Sequence, residues 1–365
     1  LDVPSFLQYA RLSGLAPRIA IASGRCFAGN AVFAGSSDLL IATENASLGM
    51  AGPAMIEGGG LGVYAPEEVG PASVQAANGV IDCLVKDEVE AAVLARQLLS
   101  YFQGPLADWQ CADQRRLRHS IPENRLRAYD VRALIDTLAD TGSVLELRRQ
   151  FAPGMITALV RIEGRPLGLL ANNPQHLGGA IDADGADKAA RFMQLCDAFD
   201  LPILSLCDTP GFMVGPEAEK TALVRHTSRM FVTAASLSVP FFTIVLRKGY
   251  GLGAMGMAGG SFHTPFFNAA WPTGEFGGMG LEGAVRLAYR KELEAEAGPA
   301  AREALFSKLV AESYERGKAL SMAVSLEIDA VIDPAESRAW IVRGLRSVNP
   351  PLPRAGKKRP MIDTW

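Results

Sequence analysis

One order of parts occurs twice in this chain, and it limits the possible folds more than any other feature. Residues 240–260 read PFFTIVLRKGYGLGAMGMAGG, and residues 18–52 read RIAIASGRCFAGNAVFAGSSDLLIATENASLGMAG. Each copy begins with an apolar, β-prone run, breaks into a Gly-bearing loop, and continues into small, helix-tolerant residues. In the later copy the loop glycines are Gly249, Gly251 and Gly253, followed by Ala254, Met255, Met257 and Ala258. Both copies then pass through a second strand-like piece, residues 39–43 or 266–270, into a Gly/Met cluster, LGMAGP or FGGMGLEG. Self-similarity of this kind predicts two homologous folding units.

The loops predict a shared chemistry. A buried strand that turns at glycines into a helix leaves the first helical N–H groups without intrahelical partners, and the missing side chains let a ligand oxygen approach them. Such a turn makes an anion cradle or an oxyanion hole. The alternative is a close strand–helix crossing that needs Gly only for packing. The second copy favours the hole.

At 365 residues the chain exceeds the size at which one core keeps growing, so two domains are expected. A net charge of −3 with no arginine-rich stripe gives no footprint for nucleic acid, and no apolar run is long enough to span a bilayer. With no signal peptide in view, the expected location is cytoplasmic, without a membrane partner. Cys26, Cys83, Cys111, Cys196 and Cys207 lack CxxC spacing, which predicts reduced thiols and no metal site. His119, His176, His226 and His263 form no HExxH pattern, and there is neither a GxSxG elbow nor a GxxxxGK[ST] loop. Asp182, Asp184, Asp187 and Lys188 are read as N-cap and helix-start residues, and Glu275 and Glu282 as structural. The chain thus offers backbone holes but few acids and bases.

Taken in order, residues 6–13 are helix-like and residues 85–102 form an amphipathic helix closing the first domain. A linker at 103–124 leads to short helical pieces at 129–138 and 144–147. Residues 155–162 and 166–171 form a hairpin about Glu163–Gly164–Arg165. A helix at 187–199, a buried strand at 202–207, a turn at 208–212 and a helix at 224–236 then lead back to residue 240. This alternation predicts an α/β fold with a mainly parallel sheet. The turn DTPGF and the loop RKGYGLGA fall at carboxyl ends of strands, where ligands bind in such sheets.

GRCFAGNAVF (24–33), ANNP (171–174), DADGADKAARF (182–192), DTPGF (208–212), RKGYGLGAMGM (247–257), AWPTGEFGGMGLEGAV (270–285) and KKRPMIDTW (357–365) together resemble the carboxyltransferase component of biotin-dependent acyl-CoA carboxylases. The resemblance implies two crotonase-like domains, each a ββα superhelix: a partial one over 1–110, a linker with short helices over 111–150, and a complete one over 151–365. It also implies that the first domain lacks its opening hairpin and helix. A chain that starts at Leu1 rather than Met then reads as part of something longer.

In the implied reaction carboxybiotin releases CO2, the biotin ureido nitrogen takes the α-proton of an acyl-CoA thioester, and the enolate attacks CO2. The thioester oxyanion would be held by the N–H groups of Gly29 and Asn30, and the ureido oxyanion by those of Leu252 and Gly253. The same matching assigns substrate contacts to Cys26, Phe27, Ala28, Gly52, Pro53, Gly211, Phe212, Tyr250, Gly251 and Ala254. Without a Met-Lys-Met context or an ATP-binding signature, the biotin carrier and biotin carboxylase are expected on partner subunits or upstream domains. The resemblance further implies a homo-oligomer, from a face-to-face dimer to a hexamer. Two departures stand out: Asn30 occupies a position usually held by Gly, which narrows or reorients the first hole, and SVQAANG (73–79) replaces a His-containing stretch. The RKxYGxG form of the second loop is closer to the methylcrotonyl-CoA branch than to the propionyl-CoA branch. A biotin-linked acyl-CoA decarboxylase, an enoyl-CoA hydratase-like enzyme and a non-catalytic scaffold subunit are the competing readings.

Overall fold

The computed structural model describes residues 3–365, so Leu1 lies outside it. Its largest sheet is built on the hairpin β7 (Met155–Ile162) and β8 (Arg165–Asn172), which turns on two residues with positive φ, Glu163 at 51° and Gly164 at 73°. That geometry matches the twist of the paired strands. Buried Asp140 fixes it, because its carboxylate accepts from the N–H groups of Glu163 and Gly164 at 3.1 and 2.7 Å. Beyond the hairpin, β9 (Ile203–Thr209), β10 (Phe241–Tyr250), β11 (Phe267–Ala270) and β13 (Ala330–Val331) add in parallel, and β12 (Glu275–Gly277) pairs with the far end of β10. The predicted mainly parallel sheet is therefore present.

At the opposite edge stands β6 (Leu145–Leu147), antiparallel to β7. The sequence reading made these residues helical. Pairing overrides that local preference, with Leu145 and Leu147 buried and Glu146 bonded to Arg132.

The earlier part of the chain forms two small parallel sheets. One has the order β1 (Ile19–Ala22), β3 (Leu39–Thr43), β5 (Cys83–Val85), and the other pairs β2 (Arg25–Phe27) with β4 (Ser47–Gly49). Val85, expected to open the helix, instead ends the strand β5; the helix Glu88–Ser100 starts after Asp87, whose carboxylate caps the Glu90 N–H at 3.0 Å.

Leu39, Ile41, Cys83 and Val85 share one buried cluster with Ala186, Ala189, Phe192 and Met193 of the helix Ala183–Ala198. That helix starts four residues earlier than expected and is buried nearly all round rather than on one stripe. A helix covered on both sides keeps polar groups only where they are bonded. Accordingly, the Lys188 ammonium donates to the Arg148 and Phe151 carbonyls at 2.9 and 2.8 Å, and Arg191 reaches the Asp38 carbonyl.

Candidate functional site

The repeated segments fold alike to the level of single residues. In the first, β2 leads through Ala28 into the helix Gly29–Gly35, and in the second, β10 leads through Tyr250 into the helix Gly251–Met257. Phe27 pairs with Gly49 and Tyr250 with Gly277, in parallel register with the following short strand. Each helix is entered through one positive-φ residue, Ala28 at 52° or Gly251 at 56°. This places Gly29 and Asn30 over Leu252 and Gly253. The expected loop with Gly249 is instead continuous strand, since β10 runs straight through Gly249 and Tyr250 into the helix, with a register shift against β9 between Val245 and Gly249.

Both turns leave donors free. The Ala28 N–H is used by the Gly49 carbonyl at 3.1 Å, and the Val32 N–H by Ala28 at 3.1 Å. The N–H groups of Gly29, Asn30, Leu252 and Gly253 lie in the first turns of the helices Gly29–Gly35 and Gly251–Met257, where helix geometry gives them no intrahelical partner. Cys26, Phe27, Ala28, Gly29, Gly52 and Pro53 are half-buried around the first turn, and Asn30 is exposed. Asn30 lines a cavity of about 400 Å³ with Tyr9, Cys26 and Phe33. Burial pushes the Cys26 thiol up.

Around the second turn Leu252 is exposed, Gly251 half-buried, and Gly253 and Ala254 buried. Gly253 packs on the DTPGF turn: a Cβ there would lie 2.6 Å from Gly211 Cα and 2.9 Å from the Phe212 nitrogen. Gly211 itself has φ 126° and its carbonyl accepts from the Ile181 N–H at 3.0 Å, which locks the turn to the loop before the helix Ala183–Ala198. Tyr250 is buried, and its hydroxyl donates to Glu275 Oε1 at 2.7 Å, so its side chain serves the turn from beneath.

The floor under this turn was not legible as a site. Asp208 and Arg247, both buried, pair at 3.0 Å, and Asp208 also accepts the Lys248 N–H at 3.1 Å. Arg247 donates to the carbonyls of Arg125 and Arg127 at 3.0 and 2.7 Å and lies over the Tyr129 ring. Arg125 pairs with Glu282 and stands 3.7 Å from Glu275 Oε1. Glu275 and Glu282 are thus charge partners rather than helix caps. The Asp cluster keeps its expected role in part: Asp182 caps the Gly185 N–H at 2.8 Å, while Asp187 binds His226 and Arg229. Among the described residues no group of three or more His, Cys, Asp or Glu side chains is placed to hold a metal, and no helix is long and apolar enough to cross a membrane.

A family model described as carboxyl transferase domain matches residues 3–350. The methylmalonyl-CoA carboxyltransferase 12S subunit of Propionibacterium freudenreichii subsp. shermanii is 33% identical over 353 residues, covering 93% of this chain and 66% of that protein. A transcarboxylase 12S structure, described as a hexamer with methylmalonyl-coenzyme A bound, superposes with a TM-score of 0.84 at 31% identity over 96% of this chain and 70% of that one. A single-chain, multi-domain long-chain acyl-CoA carboxylase superposes with a TM-score of 0.89 at 60% identity, over 94% of this chain but only 34% of that chain. The chain therefore spans about two thirds of the length of its curated relative.

Proposed function

Because the chain belongs to the carboxyl transferase domain family, we propose that it transfers a carboxyl group from carboxybiotin to the α-carbon of an acyl-CoA thioester. The observation that carries this reading is the duplicated turn, which offers two pairs of N–H groups without intrahelical partners for the two oxyanions of that reaction. Gly29 and Asn30 hold the thioester oxygen, and Leu252 and Gly253 the biotin ureido oxygen. Cys26, Phe27, Ala28, Gly52 and Pro53 line the acyl-CoA side; Gly211, Phe212, Tyr250, Gly251 and Ala254 build the biotin side. Asp208 and Glu275, the buried carboxylates bonded to the strand that enters the second turn, pair with Arg247 and with the Tyr250 hydroxyl, which favours the substrate's own ureido nitrogen as the base. An enoyl-CoA hydratase would need free acids there.

Two crotonase-like units, over 1–110 and 151–365 with a linker over 111–150, account for the repeated register. The high identity to a long-chain acyl-CoA carboxylase makes a long-chain acyl-CoA the first substrate to test, ahead of the methylcrotonyl-CoA branch. Biotin carrier and biotin carboxylase functions reside on other domains or subunits. The deciding experiment is transfer of labelled carboxyl from carboxybiotin to acyl-CoA, run against enoyl-CoA hydration. Label in the acyl product without hydration is expected, and hydration alone would overturn the reading.

Two further results are expected. With backbone donors at the first turn, Cys26→Ala leaves turnover within about threefold. Gly29→Val lowers it by about 10²-fold through crowding of the thioester, because its Cβ meets only the Phe6 ring, at 2.9 Å, and φ there is not positive. Loss of activity in Cys26→Ala but not in Gly29→Val would replace the hole with a thiol nucleophile. With one hole per unit, transfer needs the first unit of one copy facing the second unit of another, so dilution to monomer abolishes it. Ultracentrifugation matched to assays at the same concentrations checks this, and an active monomer would refute it.

A further inference from the structure

The duplication supplies an internal control, since the two turns share backbone geometry but differ in what lies beneath them. Arg25 pairs with Ser47 where Lys248 pairs with Glu275, and Phe27 stands where Tyr250 stands. The first unit thus has a phenylalanine and a serine at the positions matching Tyr250 and Glu275. The second rests on the Tyr250 hydroxyl bonded at 2.7 Å to a fully buried carboxylate.

Fold stability alone does not account for that carboxylate. Glu275 Oε2 is buried and accepts no hydrogen bond among the described residues, and Arg125 Nη1 stands 3.7 Å from Oε1, beyond hydrogen-bond reach. A buried acid with one oxygen unused carries a desolvation cost that the first unit avoids. Burial accordingly raises the Glu275 carboxyl above its usual range. Arg125 is itself held by Glu282, and the segment carrying it is bonded through its carbonyls to Arg247. Glu275 therefore accepts a single side-chain hydrogen bond, from the residue that immediately precedes the helix Gly251–Met257.

We propose that Glu275, acting through the Tyr250 hydroxyl, is a positioning residue that fixes the second turn so that the N–H groups of Leu252 and Gly253 stay aimed at their ligand. The proposal rests on the carboxyl-transfer reading for its catalytic consequence, while the brace itself is a claim about backbone order. The first turn, which has no such pair, is held by packing of Phe27 against Gly52. Phe at position 250 is compatible with this turn geometry because Phe27 occupies the matching place.

The test uses the intact protein with its biotin-bearing partner, comparing Tyr250→Phe, Glu275→Ala and Glu275→Gln. Tyr250→Phe and Glu275→Ala are expected to lower kcat for carboxyl transfer by about 10–100-fold, the range for a lost hydrogen bond to a charged group, with KM for acyl-CoA unchanged. Glu275→Gln, whose amide oxygen still accepts from the hydroxyl, recovers most of the rate. Hydrogen exchange of the peptide spanning residues 250–254 quickens in the first two variants and not in the third, which reads the brace whatever the substrate proves to be. If the wild-type protein carboxylates no acyl-CoA yet exchange quickens as described, the functional reading fails and the brace stands. Wild-type kcat and exchange in Tyr250→Phe would overturn the brace, as would a melted Tyr250→Phe protein, since the hydroxyl would then serve the fold.

Discussion

Asp208→Ala is expected to lower stability by about 3–5 kcal/mol, read as a fall in the midpoint of chemical denaturation at unchanged slope. Asp208 is fully buried and Arg247 nearly so, with Oδ2 3.0 Å from Nη2. Removing the carboxylate leaves a guanidinium in the core whose remaining partners are two backbone carbonyls and the face of Tyr129. The Lys248 N–H loses its acceptor at the same time, at the point where β10 changes register against β9. Asp208→Asn keeps an acceptor for Lys248 and a dipole for Arg247, so its cost should fall to about 1–3 kcal/mol. Equal midpoints for Asp208→Ala and wild type would mean that the pair is hydrated rather than buried. Because Arg247 and Lys248 lie on the strand that runs into the second turn, the activity loss should track the stability loss, unlike the Tyr250 and Glu275 variants.

How much of this was readable beforehand follows from what each feature depends on. The duplicated turn was legible because its backbone path excludes most side chains, so Gly251 and the small residues after it leave a local mark. The hairpin at Glu163–Gly164 and the cap at Asp182 were legible for the same local reason, whereas the cap at Asp87 was passed over because the helix was read from residue 85. Residues 145–147 were not, because three residues carry no period and their strand state comes from β7 across the sheet. The helix Ala183–Ala198 read as amphipathic because Asp187, Lys188 and Arg191 break its apolar run. They are buried all the same, being bonded to Arg229, the Phe151 carbonyl and the Asp38 carbonyl, partners far away in sequence. Arg125 fell between the linker at 103–124 and the helical piece at 129–138, where no element was assigned, and its pairing to Glu282 spans 157 positions. A signal for the Tyr250–Glu275 pair did exist: aligning the two copies residue by residue sets them against Phe27 and Ser47, where chemistry changes while geometry does not.

The second large effect concerns the turn itself, and the structure dictates which substitution tests it. Gly253→Val would place a branched side chain 2.6 Å from backbone atoms of Gly211, which cannot give way as a side-chain tip can. Overpacking of that kind costs about 1–3 kcal/mol and displaces the DTPGF turn, so a fall in turnover in this variant mixes packing with chemistry. Leu252→Pro separates them. The Leu252 side chain is exposed, so its replacement removes no core contact, and the ring deletes one backbone N–H at a first-turn position where proline is tolerated. The preceding residue is Gly251, whose permissive backbone meets the restriction that proline imposes on its neighbour. Losing one preorganised donor predicts a fall in carboxyl transfer of about 10²–10³-fold, with melting temperature and acyl-CoA affinity close to wild type. Thermal melting, calorimetry with acyl-CoA and label transfer on the same preparation read the three quantities independently. A stable Leu252→Pro protein that transfers carboxyl at the wild-type rate would remove the second turn from the mechanism and leave Gly253 as a packing residue only.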